Sequence, residues 1–83
     1  MVFEMKFDSI AEIEALQRLA AAADRPVLLS SGDGSIQVDA RSFIGMFTLD
    51  FSKPVKVNTE SVYVMRRLEA GLRQREEAMA HAR

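Results

Sequence analysis

VDARSFIGMFTLDFSKPVKV, residues 38–57, decides how this chain is read. Val38 and Asp39 close an extended segment, and Asp39 or Ser42 offers the side-chain oxygen that starts a helix. Phe43, Ile44, Met46, Phe47 and Leu49 then crowd around Gly45, in a short helix predicted over 42–49. Residues 53–57 return to extended chain, with Val55 and Val57 on one face and Lys56 on the other. Pro54 has no amide donor, so it belongs at the start of that strand or on a sheet edge. A helix this short buries only part of its apolar set, and the question is which part.

Working outward, VFEMKF at residues 2–7 alternates: Phe3, Met5 and Phe7 share one face, Glu4 and Lys6 the other. Ser9 followed by Glu12 is a capping box. The helix it opens carries Ile10, Ile13, Leu16 or Gln17, and Ala20 at helical spacing, with Leu19 and Ala23 widening the stripe. Asp24, Arg25 and Pro26 end it. VLLSS from Val27 and SIQVD from Ser35 read as a hairpin, because Gly32-Asp33-Gly34 between them supplies the positive φ of a tight reversal. After the central segment, Asn58 or Thr59 caps a last helix whose predicted stripe is Val62, Met65, Leu68 or Glu69, and Leu72. Gly71 inside it costs about 1 kcal/mol relative to Ala. RQREEAMAHAR, residues 73–83, is charged or small and is expected to fray or project from a single domain spanning 1–83. The order β-α-β-β-α-β-α predicts an α+β fold, with helices on one face of a four-stranded, mostly antiparallel sheet.

Composition narrows the function. A chain of 83 residues buries about 60–65% of its unfolded surface, so its stability margin is thin. Cys is absent, and packing of a 48% apolar content must do the work of a disulfide or thiolate–metal staple. A net charge of −1, from 11 basic and 12 acidic residues, argues against a nucleic-acid binder. No apolar run approaches the roughly 20 residues of a membrane span. Glu4, Lys6 and Asp8 interrupt what a signal peptide would need to keep apolar. The expected compartment is the cytoplasm.

No catalytic constellation emerges. His81, the single histidine, lies in the polar tail without the companions of a zinc site. Glu12 and Glu14 sit on a helix surface, and Glu76 and Glu77 are solvated neighbours. Ser31-Gly32-Asp33-Gly34 lacks the Gly-Lys-Ser/Thr ending and following helix of a phosphate loop. Arg66, Arg67, Arg73 and Arg75 concentrate positive charge, but Glu60, Glu69, Glu76 and Glu77 dilute it into a solvated face. The chain is expected to be no enzyme and to hold neither metal nor cofactor.

The run Arg41-Ser42-Phe43-Ile44-Gly45-Met46-Phe47-Thr48-Leu49 resembles the central segment of HPr, the histidine-containing phosphocarrier of the sugar phosphotransferase system. That family shows a basic residue, Ser, two apolar residues, Gly, two more apolar residues, a small polar residue and Leu. The resemblance implies an open-faced β-sandwich in the element order already deduced. In the family a phosphorylatable histidine opens the first helix, with an arginine close behind. Here Ser9 stands near the histidine position and Ala11 near the arginine. The resemblance therefore implies a non-catalytic regulatory or docking module without phosphohistidine transfer. Ser42 falls where many Gram-positive members carry a regulatory phosphorylation serine. Met46 and Leu49 would be core, whereas Arg41, Phe43, Ile44 and Phe47 would map to the docking side. Partners implied are phosphotransferase-system enzymes, a serine kinase or a transcription regulator, in a bacterial cytoplasm. Two further readings stay open: a phosphoryl carrier using Ser9 or His81 as an unusual acceptor, and a structural homo-oligomer whose apolar patch and last helix are subunit contacts.

Overall fold

The N-terminal alternation becomes β1 (Val2–Met5), with Phe3 and Met5 packed on the core and Glu4 facing away. The structure is a computed structural model that describes the backbone of residues 1–81 and the side chains of residues 1–71. The remaining elements are α1 (Ile10–Ala21), β2 (Val27–Ser30), β3 (Gln37–Asp39), α2 (Phe43–Met46), β4 (Val55–Thr59) and α3 (Val62–His81). The predicted order β-α-β-β-α-β-α holds.

The sheet runs β1-β4-β2-β3 and every pairing is antiparallel. One row of cross-strand partners, Phe3–Val57–Leu29–Val38, spans all four strands. Val57 and Leu29 in it are fully buried, and Phe3 and Val38 close its ends. The adjacent row, Glu4–Lys56–Ser30–Gln37, is polar throughout. Period-two alternation thus sorts the sheet into a core face and a solvent face. Ile13, Leu16 and Ala20 of α1 and Val64 and Leu68 of α3 are buried with the inner row in one cluster. The result is the open-faced α+β arrangement expected, a sheet with one face left to solvent.

Where the boundaries differ from expectation, hydrogen bonding explains it. β1 stops at Met5, yet Phe7 continues inward and meets Phe51 edge to face, ring centroids 5.6 Å apart. β4 begins at Val55 rather than 53, because Lys53 donates its amide into a turn to the Asp50 carbonyl and Pro54 has none to give. It then runs on to Thr59, which pairs with Val27 and donates its amide to the Met1 carbonyl. Strand pairing holds the chain extended through Thr59 and delays the helix start to Val62, so the cap of α3 passes from the predicted Asn58 or Thr59 to Ser61. The Ser61 hydroxyl, fully buried, accepts from the Val64 amide at 3.2 Å and donates to Asp24 Oδ1 at 2.6 Å. That hydrogen bond holds the Asp24 carboxyl below its ordinary pKa. Thr59 Oγ1 joins the same tie, accepting from the Ser61 amide and donating to the Pro26 carbonyl.

The shifted cap rotates the stripe of α3. Ser61, Val64 and Leu68 face inward, whereas Val62 is exposed and Met65 only half-buried. In α1 the Ser9 hydroxyl accepts from the Glu12 amide as predicted, but Ile10 in the first turn stays exposed. α3 continues as helix to His81. The expected fraying or projection of 73–83, and the side chains of His81 and of Leu72 in the predicted stripe, lie outside the described residues. Among the described residues no helix is long and apolar enough to cross a membrane.

The β2–β3 connection is organised by one carboxylate. Asp33 Oδ1 accepts from the Ser31 hydroxyl (2.7 Å), the Ser35 amide (3.0 Å) and the Ser35 hydroxyl (2.8 Å), while Gly34 takes φ 77°. These bonds, Ser31 first, lower the Asp33 pKa from 3.8 to about 2. A depressed folded-state pKa contributes stability that is present above the unfolded value near 3.8 and is lost as pH falls through about 2. An NMR titration should place the Asp33 carboxyl midpoint at about 2, with the Ser35 amide shifting in step. A midpoint near 3.8 would show that the two hydroxyls do not hold the turn.

Candidate functional site

The resemblance directs attention to the turn that follows β3. Ala40, fully buried, donates its amide to the Val27 carbonyl and ends the sheet there. Asp39 accepts from the Arg41 amide at 2.9 Å, and its two carboxylate oxygens take the Arg41 guanidinium through Nε (3.2 Å to each) and Nη2 (2.7 Å). The guanidinium holds the Asp39 carboxyl below its ordinary range, and the carboxylate raises the Arg41 pKa in return. With Arg41 mostly exposed, the pair orders the turn more than it stabilises the fold. The Arg41 carbonyl accepts from Gln17 Nε2 at 3.2 Å, which fastens the turn to α1.

Ser42, rather than Asp39, caps α2. Its backbone is extended (φ −92°, ψ 102°), and its hydroxyl accepts from the Gly45 amide at 3.1 Å. A Cβ on residue 45 would stand 2.9 Å from that hydroxyl and 3.2 Å from the Ser42 Cβ, so Gly45 is what leaves the cap its room. α2 itself is one turn, shorter than the predicted 42–49. Bonds from Phe47 to Ile44, Thr48 to Gly45 and Leu49 to Met46 carry the coil on in a tighter i→i+3 pattern.

Helical rotation of ~100° per residue sorts the apolar side chains. Met46 (0% exposed) and Leu49 (6%) point into the core. Ile44 lies opposite them at 84% exposure, and Phe47, nearer the opposite side, is 49% exposed. Phe43 falls between, half-buried and packed against the core, with its ring edge to face against Phe47 at 4.9 Å. A shallow depression beside it is lined by Glu14, Gln17 and Arg18 of α1. The expected docking side thus divides: Ile44 and Phe47 stand in solvent, Phe43 packs against the core and the Phe47 ring, and Arg41 is engaged by Asp39.

Ser9, near the family's histidine position, is exposed and serves as the cap of α1. Its end of the domain is tied to the chain after α2 by the Phe7–Phe51 contact and by Lys6 Nζ donating to the Phe51 carbonyl at 3.4 Å. Among the described residues no three His, Cys, Asp or Glu side chains gather so as to hold a metal ion. The Asp39 and Gln17 contacts to residue 41 escaped the sequence reading. Asp-x-Arg is a legible local signal for the first, whereas the second joins residues 24 apart and leaves no local trace. No family model, curated protein or solved structure matches the chain.

Proposed function

We propose that this chain is an HPr-like docking or regulatory module of a bacterial cytoplasm, related to the phosphoenolpyruvate-dependent sugar phosphotransferase system and without phosphohistidine transfer. The observation that carries the reading is the division within residues 43–49. Met46 and Leu49 satisfy the core, so Ile44 and Phe47 are left apolar and exposed beside Ser42. Large apolar side chains displayed together on a small protein mark an interaction surface. Ser42 is the candidate regulatory position. A phosphate there would add roughly two negative charges at the edge of the surface and would compete with Asp39 for Arg41. The partners are proteins: a phosphotransferase-system enzyme, a serine kinase or a transcription regulator.

The test is an NMR titration of labelled protein with purified enzyme I, the serine kinase and the transcription regulator of a phosphotransferase system. At least one is expected to perturb Ser42, Ile44 and Phe47, and Phe47→Asp should abolish the effect while leaving the domain folded. Enzyme I with phosphoenolpyruvate should transfer no label to the chain. Label on Ser9 or His81 would make it a carrier with an unusual acceptor. A dimer by light scattering that dissociates in Phe47→Asp would make the same surface a subunit contact. Either result overturns the docking reading, as does the absence of any perturbation.

A further inference from the structure

Between α1, α3 and the β1 side of the sheet lies a cleft of about 330 Å³, away from α2. Its apolar lining includes Met5, Phe7, Leu16 and Leu19, and the charged groups among its described lining residues are Glu12 on α1 and Arg67 on α3. The volume falls at the low end of the roughly 300–1,000 Å³ of ligand pockets, enough for a small molecule. Gly71 forms part of the α3 wall. A Cβ there would meet no atom of the described residues within 4 Å and Gly71 has no positive φ, so among these neither crowding nor backbone conformation calls for glycine. What its missing side chain does is keep the wall open, at a cost in helix propensity. Arg67 is exposed and has no hydrogen-bond or ion-pair partner among the described residues.

We propose that this cleft binds a short aliphatic carboxylate. The chain of the ligand lies along Met5, Phe7, Leu16 and Leu19, where water gains nothing from the lining. The carboxylate meets the Arg67 guanidinium, whose planar fork matches it in two parallel charge-assisted hydrogen bonds. Apolar body and anionic head are both needed: the lining selects the first and the Arg67 guanidinium the second.

Titration of the full chain with octanoate, followed by NMR, tests this, with octan-1-ol as the uncharged twin. Octanoate should bind at one saturable site and shift Leu16, Leu19 and Leu68. It should bind roughly three- to tenfold more tightly than the alcohol, the gain expected from a charge-assisted contact at a wet rim. Arg67→Gln should bring octanoate down to the alcohol's affinity. Gly71→Leu fills the cleft while improving the helix, so it should remain folded and bind neither. The proposal is overturned by equal binding of the two ligands, by affinity that survives Gly71→Leu, by indifference to Arg67→Gln, by shifts confined to Ile44 and Phe47, or by no saturable binding.

Discussion

Met46→Ala should destabilise the domain by about 3 kcal/mol, whereas Ile44→Asp, two residues away, should change its stability by less than about 0.5 kcal/mol. Met46 is fully buried, so truncation loses its transfer free energy and leaves a cavity in a core with little to spare. Ile44 is 84% exposed and on the opposite side of the same turn. For a chain of this size 3 kcal/mol corresponds to a fall in Tm of about 12–24 °C. Phe47→Asp falls between, at about 1 kcal/mol, because it gives up the edge-to-face contact with Phe43. Thermal and urea unfolding of the three variants decide the matter. A loss from Ile44→Asp as large as that from Met46→Ala would place Ile44 in a buried contact, and the docking surface would not exist.

Removing one hydroxyl at the start of α3 should have the next largest effect. Ser61→Ala is expected to cost about 2 kcal/mol, the upper end for a helix cap, because the Val64 amide it leaves behind is buried and cannot turn to water. The hydroxyl also donates to Asp24, so the variant should let the Asp24 carboxyl rise toward its ordinary pKa. The sign follows from linkage: a carboxyl depressed in the folded state contributes stability above its unfolded pKa and loses it as pH falls through the folded one. Ser61→Ala should therefore remove that part of the acid sensitivity, and Asp24→Ala made on top of it should add little. Full additivity of the two substitutions would mean that the tie between the end of α1 and the start of α3 is not energetically coupled.

What the sequence made legible follows the range of the interaction concerned. Phe3-Met5-Phe7 and Val55-Val57 announce their inward faces, because strand alternation is a property of neighbours. Ser9 and Ser42 announce their helices because a cap reaches only three residues forward. The cap of α3 is illegible for the converse reason. Asn58, Thr59 and Ser61 are all good caps, and what excludes Thr59 is its pairing with Val27 and Met1, far off in sequence. A cap at 58 or 59 turns Val62 inward, whereas the cap at Ser61 puts Val64 there instead. The division within α2 was legible only through the resemblance. Five large apolar residues within seven positions carry too weak a period to say which of them the sheet will cover. The cleft beside α3 could not be read at all. Arg67 and Gly71 share a face of α3 by their i, i+4 spacing, but only the approach of α1 turns that face into the wall of a cleft.

The sheet order also sets a schedule. Among the described residues β4 is the last strand, yet it lies between β1 and β2 and gives β1 its one strand neighbour. The β2–β3 pairing is local, Ser30 opposite Gln37, although a two-stranded hairpin by itself is marginal in water. Val2 must wait for Asn58. Until residues 55–59 emerge, β1 has no partner and β2 presents an open edge, the kind of edge that other chains can join. Such long-range closure also slows folding relative to a domain built of local contacts. Synthesis that stops before Thr59 should therefore leave the sheet unclosed, so the domain completes itself in one late step rather than strand by strand.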